Sequence, residues 1–241
     1  MNPYLALGQV VHGVLDELAG LPVDERFVES LEGRVSRLWE TVAGKKGGFR
    51  SDEQEKEFKD RAFQMLARVQ EHPGPLAHKA LRLKQDLPNY WFSEEDNMIL
   101  CGKIDWIEYI EAKDSIHVVD FKTGKKREKE DSLQLPIYLL LLLHTQSRVI
   151  EKMSYWYLQM SDTPEEVKLP DEETAHQQIM QVARRIKLAR QLNHFECEAD
   201  PKNGCRHCAP FDAVIKGRGE FVGVGEYNRE MYILTESSVA L

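Results

Sequence analysis

Apolar positions early in the chain recur at helical spacing. Leu7, Val11, Val14 and Leu18 fall on one stripe and predict a helix over residues 3–19. The same periodicity predicts two further amphipathic helices, at 24–43 and 52–72. The turn-rich run Gly44 to Gly48 connects them, and Pro73-Gly74-Pro75 stops the third. The pattern then changes. Ala80 to Gln85, Met98 to Ile104, Trp106 to Glu111 and Ile116 to Phe121 carry alternating or continuous apolar residues and read as strands, with Asp114-Ser115 as a hairpin tip. Helical spacing returns from Ser132 to His144. An aromatic-rich strand follows at Lys152 to Met160, then a long helix at 171–193. Residues 195–212 read as a cysteine-containing loop, and Phe221 to Leu234 as a closing hairpin or tail. The order predicts an α/β core joined to a helical lobe made by the N-terminal third, in one domain over 1–241. Within it, 1–75 form the lobe, 76–193 the core and 194–241 the cysteine loop and tail.

Composition fits that expectation. At 42% hydrophobic and 30% charged residues, a chain of 241 residues can bury a sizeable core. The longest apolar run, Leu139 to Leu143, falls well short of the ~20 residues a bilayer span needs, so no membrane association is expected. No basic region followed by an apolar stretch begins the chain, so no signal peptide is expected and the cytosol is the predicted compartment. The net charge of -8 runs against a nonspecific polyanion binder. Basic residues are nevertheless concentrated locally, at Lys122, Lys125, Lys126 and Arg127 and again at Arg184, Arg185, Lys187 and Arg190.

The candidate chemistry lies where strands end. In Val118-Val119-Asp120-Phe121-Lys122-Thr123-Gly124-Lys125, an apolar strand ends in an acid, one residue, a lysine and a glycine turn. Strand alternation puts Asp120 and Lys122 on one face. A carboxylate there can hold a divalent cation, and a neighbouring ammonium can steady an attacking water or charge developing on phosphorus. Gly102-Lys103-Ile104-Asp105 ends the apolar strand before it; if the two strands pair, Asp105 and Asp120 meet, and two acids so placed repel unless a cation lies between them. His12 lies beside the apolar stripe of the first helix, facing Asp16 one turn on, and neutral imidazole is a common metal ligand. Gln134 and Tyr138, four apart, share a helix face. Pro136 is tolerated because it falls in the first turn. Each piece alone has an ordinary structural explanation; their order along the chain joins them.

That order resembles the RecB-like branch of the PD-(D/E)xK nucleases, which includes nuclease domains of bacterial recombination helicase–nucleases and CRISPR-associated adaptation exonucleases. The likeness covers roughly residues 5 to 211 and is most specific from Gly102 to Tyr138. It implies a restriction-endonuclease-like fold, a central mixed sheet flanked by helices. It also implies a metal-dependent deoxyribonuclease, of exonuclease or flap- and single-strand-cutting type, in repair, recombination or phage defence. A nuclease-fold DNA-binding subunit without cleavage is the alternative. By the resemblance, His12, Asp105, Asp120 and the carbonyl of Phe121 hold Mg²⁺ or Mn²⁺, Lys122 is the catalytic lysine, and Gln134 and Tyr138 contact DNA or orient the lysine. The partners implied are DNA with single-stranded character and a protein such as a helicase or a CRISPR adaptation component.

The four cysteines are Cys101, Cys197, Cys205 and Cys208. Many RecB-like relatives hold an iron–sulfur cluster on four cysteines, one before the histidine helix and three near the C-terminus. No cysteine precedes His12 and none follows Cys208, so an intact cluster, which needs four ligands, is not expected. The Cys205–Cys208 spacing leaves two readings: a remnant loop, or a structural zinc site with Cys197.

Overall fold

The computed structural model describes residues 1–85, 87–195, 205, 207–225 and 228–234. Helix α1 (Pro3–Ala19) starts where Asn2 caps it, its side chain accepting from the Leu5 N–H at 3.0 Å, with Pro3 preset in the first turn. Helices α2 (Leu31–Trp39) and α3 (Asp52–Glu71) start in the same way, at Ser30 and Ser51, each accepting an N–H from three residues on. Acids Asp52, Glu53 and Glu55 favour the positive end of the α3 dipole.

Helix α2 is shorter than its periodicity suggests. Residues before it are drawn out of helix by Arg26, whose buried guanidinium donates to the carbonyls of Leu18, Leu21, Leu76 and His78. Residues 44–47 form a 3₁₀ turn instead of open connector. It ends at Gly48 with φ +80, where a Cβ would meet Asn2 Cα at 2.8 Å; glycine is what lets this turn pack against the start of α1.

The sheet order is β3-β4-β5-β6, with β3 (Trp106–Ile110) antiparallel to β4 (Ser115–Lys122), β4 parallel to β5 (Val149–Tyr157), and β5 antiparallel to β6 (Glu165–Val167). This is the central mixed sheet of a restriction-endonuclease-like fold. The tip of the β3–β4 hairpin is where the sequence places it, with Asp114 in the left-handed region at φ +46. The parallel β4–β5 pair requires a crossover, and helix α4 (Gln134–Thr145) makes it. The two faces of the sheet pack differently. Val119, Phe121 and Trp156 join Leu7, Val11, Leu66 and other residues of α1–α3, whereas Ile116, Val118, Met153 and Tyr155 join Leu139 and Leu142 of α4 and Ile179 of α5 (Glu172–Gln191).

Three strand expectations need correction. Met98 to Ile104 is not one strand ending at Asp105. Strand β2 (Met98–Cys101) stops short of it and pairs with β1 (Asn89–Ser93), not with β4. Gly102 lets the chain turn there against α4, where a Cβ would come 3.1 Å from Leu141. Ala80 to Gln85 makes one bridge, Ala80 to Glu108, and then leaves the sheet. The 152–160 strand begins earlier, at Val149, and stops at Tyr157. The closing hairpin forms as β7 (Gly219–Val224) and β8 (Glu230–Leu234), after a short helix α6 (Ala209–Ile215). Among the described residues, no helix is long and apolar enough to cross a membrane.

Candidate metal-dependent active site

Asp105 reaches β4 by a different route from the expected one. It directly precedes β3, whose register pairs Trp106 with Val119. One further step of that register sets Asp105 opposite Asp120, on one face of the sheet. Asp105 Oδ2 accepts the Phe121 N–H at 2.9 Å, while Oδ1 lies 3.3 Å from His12 Nδ1. In a strand, the N–H and C=O of one residue point to the same side, so the Phe121 carbonyl also faces this edge. Helix α1 crosses behind it: the His12 ring meets the Phe121 ring edge-on at 6.3 Å, and Gly8, one turn earlier, passes close to Thr123.

Asp120 is 1% exposed and is held from the α4 side. Gln134 Nε2 donates to its Oδ1 at 2.6 Å and Tyr138 OH at 3.1 Å, so the helix face shared by those two residues does look back at the strand end. Gln134 Oε1 in turn accepts from Lys122 Nζ. Lys122 Nζ lies 2.8 Å from Asp120 Oδ2, but this buried oxygen has no aligned hydrogen-bond donor. The ammonium is therefore a charge neighbour that leaves a lone pair of Oδ2 available.

The electrostatics follow from this crowding. Burial, and then repulsion from Asp105, push the Asp120 carboxyl up to about 6. His12 is pulled the other way by burial, yet its affinity for a proton is raised, because the hydrogen bond and charge of Asp105, with Asp120 and Asp16 behind, outweigh desolvation. Lys122 likewise holds its proton more tightly despite burial, through Asp120 and Glu128. Burial and the two carboxylates push the Tyr138 phenol up, so it stays a donor. A buried acid made costly by desolvation and by its acidic neighbour, with an acceptor oxygen that has no donor, is what a divalent cation would relieve.

Hard carboxylate oxygens with one imidazole suit Mg²⁺ or Mn²⁺. As the side chains stand, no three His, Cys, Asp or Glu groups among the described residues are arranged to hold an ion: Asp105 engages His12 and the Phe121 N–H, while Asp120 Oδ2 is left without a donor. His12, Asp105, Asp120, Phe121, Lys122 and Gln134 line one open cleft of about 290 Å³, joined by Thr123, Lys126 and Glu128. Sequence reasoning missed Glu128. It lies 3.3 Å from Lys122 Nζ, and its N–H donates to Tyr157 OH at 3.0 Å. The one available signal is a lone acid inside the run Lys125-Lys126-Arg127-Glu128-Lys129. Of the cysteine loop, Cys205 and Cys208 flank the turn that enters α6, with the Cys208 N–H on the Cys205 carbonyl at 3.0 Å. Cys197 lies outside the described residues.

Comparison with curated proteins and with solved structures returns no match. The sequence model of the PD-(D/E)XK nuclease superfamily, however, matches residues 1–211. Its span takes in α1 with His12, the β3–β4 hairpin and α4. Members of this superfamily hydrolyse phosphodiester bonds, typically with divalent metal, and the chain belongs to the PD-(D/E)XK nuclease superfamily.

Proposed function

We propose that the chain is a Mg²⁺- or Mn²⁺-dependent deoxyribonuclease of the RecB-like branch, one catalytic unit that trims or cuts DNA with single-stranded character. The observation that carries this reading is the meeting of Asp105, Asp120 and His12 at the end of β4, with Lys122 alongside. His12, Asp105, Asp120 and the Phe121 carbonyl would hold the cation. When bound, the cation supplies positive charge to the scissile phosphate and makes a neighbouring water easier to deprotonate. Lys122, kept protonated, places its ammonium beside the developing phosphate charge. Gln134 bridges Lys122 and Asp120 and fixes both. Tyr138 donates to Asp120 and keeps its carboxylate aimed at the cleft. Glu128 sets the Lys122 position from the other side.

The direct test incubates end-labelled single-stranded, duplex and flapped DNA with Mg²⁺, Mn²⁺ or chelator. Cleavage in the presence of metal, lost on chelation and in Asp120→Ala, is expected. Undiminished cleavage by Asp120→Ala refutes the assignment. A DNA-binding subunit without cleavage is the second reading, favoured by the net charge of -8 and by the absence of a ready three-ligand group among the described residues. It predicts retained DNA with no product under either metal.

A further inference from the structure

A second and larger cleft, of about 1070 Å³, opens between the start of α1 and the C-terminal hairpin. It neighbours the metal cleft across a single turn of chain. Lys125 lines it, while Thr123, Gly124 and Lys126 of the same turn line the other. Helix α1 runs between the two. Tyr4, Gly8 and His12 follow at four-residue intervals on one face of α1, and eight residues of helix rise about 12 Å. Tyr4 opens into the larger cleft, Gly8 lies against Thr123, and His12 stands in the metal cleft.

The lining is aromatic before it is charged. Tyr4 is 67% exposed, yet its ring is fixed edge-on to Phe58 at 5.1 Å, with the Arg61 guanidinium 5.8 Å away. Across the groove Phe211 is 71% exposed, and Tyr232 is steadied edge-on by Phe221 at 5.6 Å. Two large rings facing solvent cost free energy that a partner would recover. The charged lining is close to balanced: Arg50, Arg61 and Lys125 against Glu57 and Glu230. A duplex docks mainly through many phosphate contacts, which this lining does not provide. Held aromatic rings with a few cations are the surface on which unpaired bases stack.

We propose that this groove carries the single strand that feeds the metal cleft. Bases stack on Tyr4 and Phe211, and phosphates pass Arg50 and Lys125 on the way to His12 and Asp120. The substrate class this assigns rests on the nuclease reading of the neighbouring cleft, but the binding it predicts does not.

The test measures anisotropy of a fluorescein-labelled 20-mer of thymidylate in EDTA, where cleavage does not intervene. Tyr4→Ala and Phe211→Ala should each weaken binding about 10-fold. Phe195→Ala, at an equally exposed ring that follows α5 and does not line the groove, should bind within about twofold of the parent protein. With Mn²⁺ added, the two groove variants should raise KM for the 20-mer while leaving turnover of thymidine p-nitrophenyl phosphate unchanged, since that ester reaches only the metal cleft. Unweakened 20-mer binding by both groove variants overturns the proposal and leaves the groove to a polypeptide occupant. Loss of binding in the variants with no cleavage by the parent protein upholds the groove and sinks the nuclease reading. Cleavage indifferent to both variants does the reverse.

Discussion

Replacing Asp120 by asparagine should make the metal-free protein more stable while destroying its response to metal. The reasoning is one of desolvation. The Asp120 carboxyl is buried and faces Asp105, which raises it from 3.8 to about 6. That difference corresponds to roughly 3 kcal/mol of bias against the ionised form in the fold. The sign is fixed by linkage. Between about pH 4 and 6 the native state binds more protons than the unfolded chain, so stability falls as pH rises through that window. Above pH 6 the full penalty is present. Asparagine removes it but also gives up the contact with Lys122 at 2.8 Å. Lys122 keeps Glu128 and Gln134, so that loss should cost about 1 kcal/mol. The net gain at pH 8 is about 2 kcal/mol, or roughly 4–8 °C in Tm for a chain of this size.

The assay is thermal melting in EDTA at pH 8 and pH 5, repeated with Mn²⁺. At pH 5 about half of the penalty remains, and the gap between the two proteins should narrow to under about 1 kcal/mol. Saturating metal at a hundredfold excess over Kd should raise the parent protein by about 2.7 kcal/mol and the variant far less. An Asp120→Asn protein less stable than its parent at pH 8, or a gap equal at both pH values, would refute the desolvation reasoning and show that the Lys122 ion pair outweighs the cost of burial.

Lys122→Ala should lower turnover on DNA by about 10²-fold or more while preserving the Mn²⁺-induced rise in Tm, as measured by single-turnover cleavage beside melting. Glu108 is held below its ordinary value: burial opposes this, but hydrogen bonds from His117 at 2.7 Å and His78 at 2.5 Å prevail. Its stabilisation is therefore present above its unfolded value and lost as pH falls through the depressed folded one, so Glu108→Gln should melt lower than the parent at pH 7 and converge with it near pH 3. Arg26→Met should cost on the order of 3–5 kcal/mol by urea titration, because the buried carbonyls of Leu18 and Leu76 lose their donor; a cost under about 1 kcal/mol would show that water takes its place.

Much of the candidate site was legible because its parts are local. Asp120 and Lys122 share a face through strand period alone, and Gln134 and Tyr138 through helix period, and the structure brings all four together. The pairing of Asp105 with Asp120 was also expected, but by the wrong strand. Apolar residues run from Met98 to Cys101 and resume at Ile104, and reading Gly102-Lys103 as part of one strand hid the place where β2 ends and the chain turns toward β3. At Gly102 the chain passes close to α4, where a Cβ would come 3.1 Å from Leu141, a proximity that periodicity does not encode. Strand β6 escaped for a related reason: Glu165–Val167 is three residues long and carries two acids, and it is a strand only because β5 offers it an edge. The shortening of α2 depends on Arg26 reaching Leu76 and His78, some fifty residues away. A window of a dozen residues contains no trace of such a partner.

The same alternation explains why one strand end can join both halves of the molecule. Along Asp120-Phe121-Lys122 the side chains point to opposite faces in turn. Asp120 and Lys122 go to the face covered by α4, where Gln134 and Tyr138 grip them. Phe121 goes to the other face, packs with Trp106 and Trp156 among the residues of α1–α3, and meets the His12 ring. Its backbone N–H meanwhile binds Asp105. Moving β4 by one residue would exchange these roles completely, putting both charged groups into the core of the lobe and a phenylalanine into the cleft. The register of Ser115–Lys122 against β3 and β5 is therefore the setting on which the candidate chemistry depends, and the fully buried Ile116, Val118 and Val119 that fix this register act on the site without touching it.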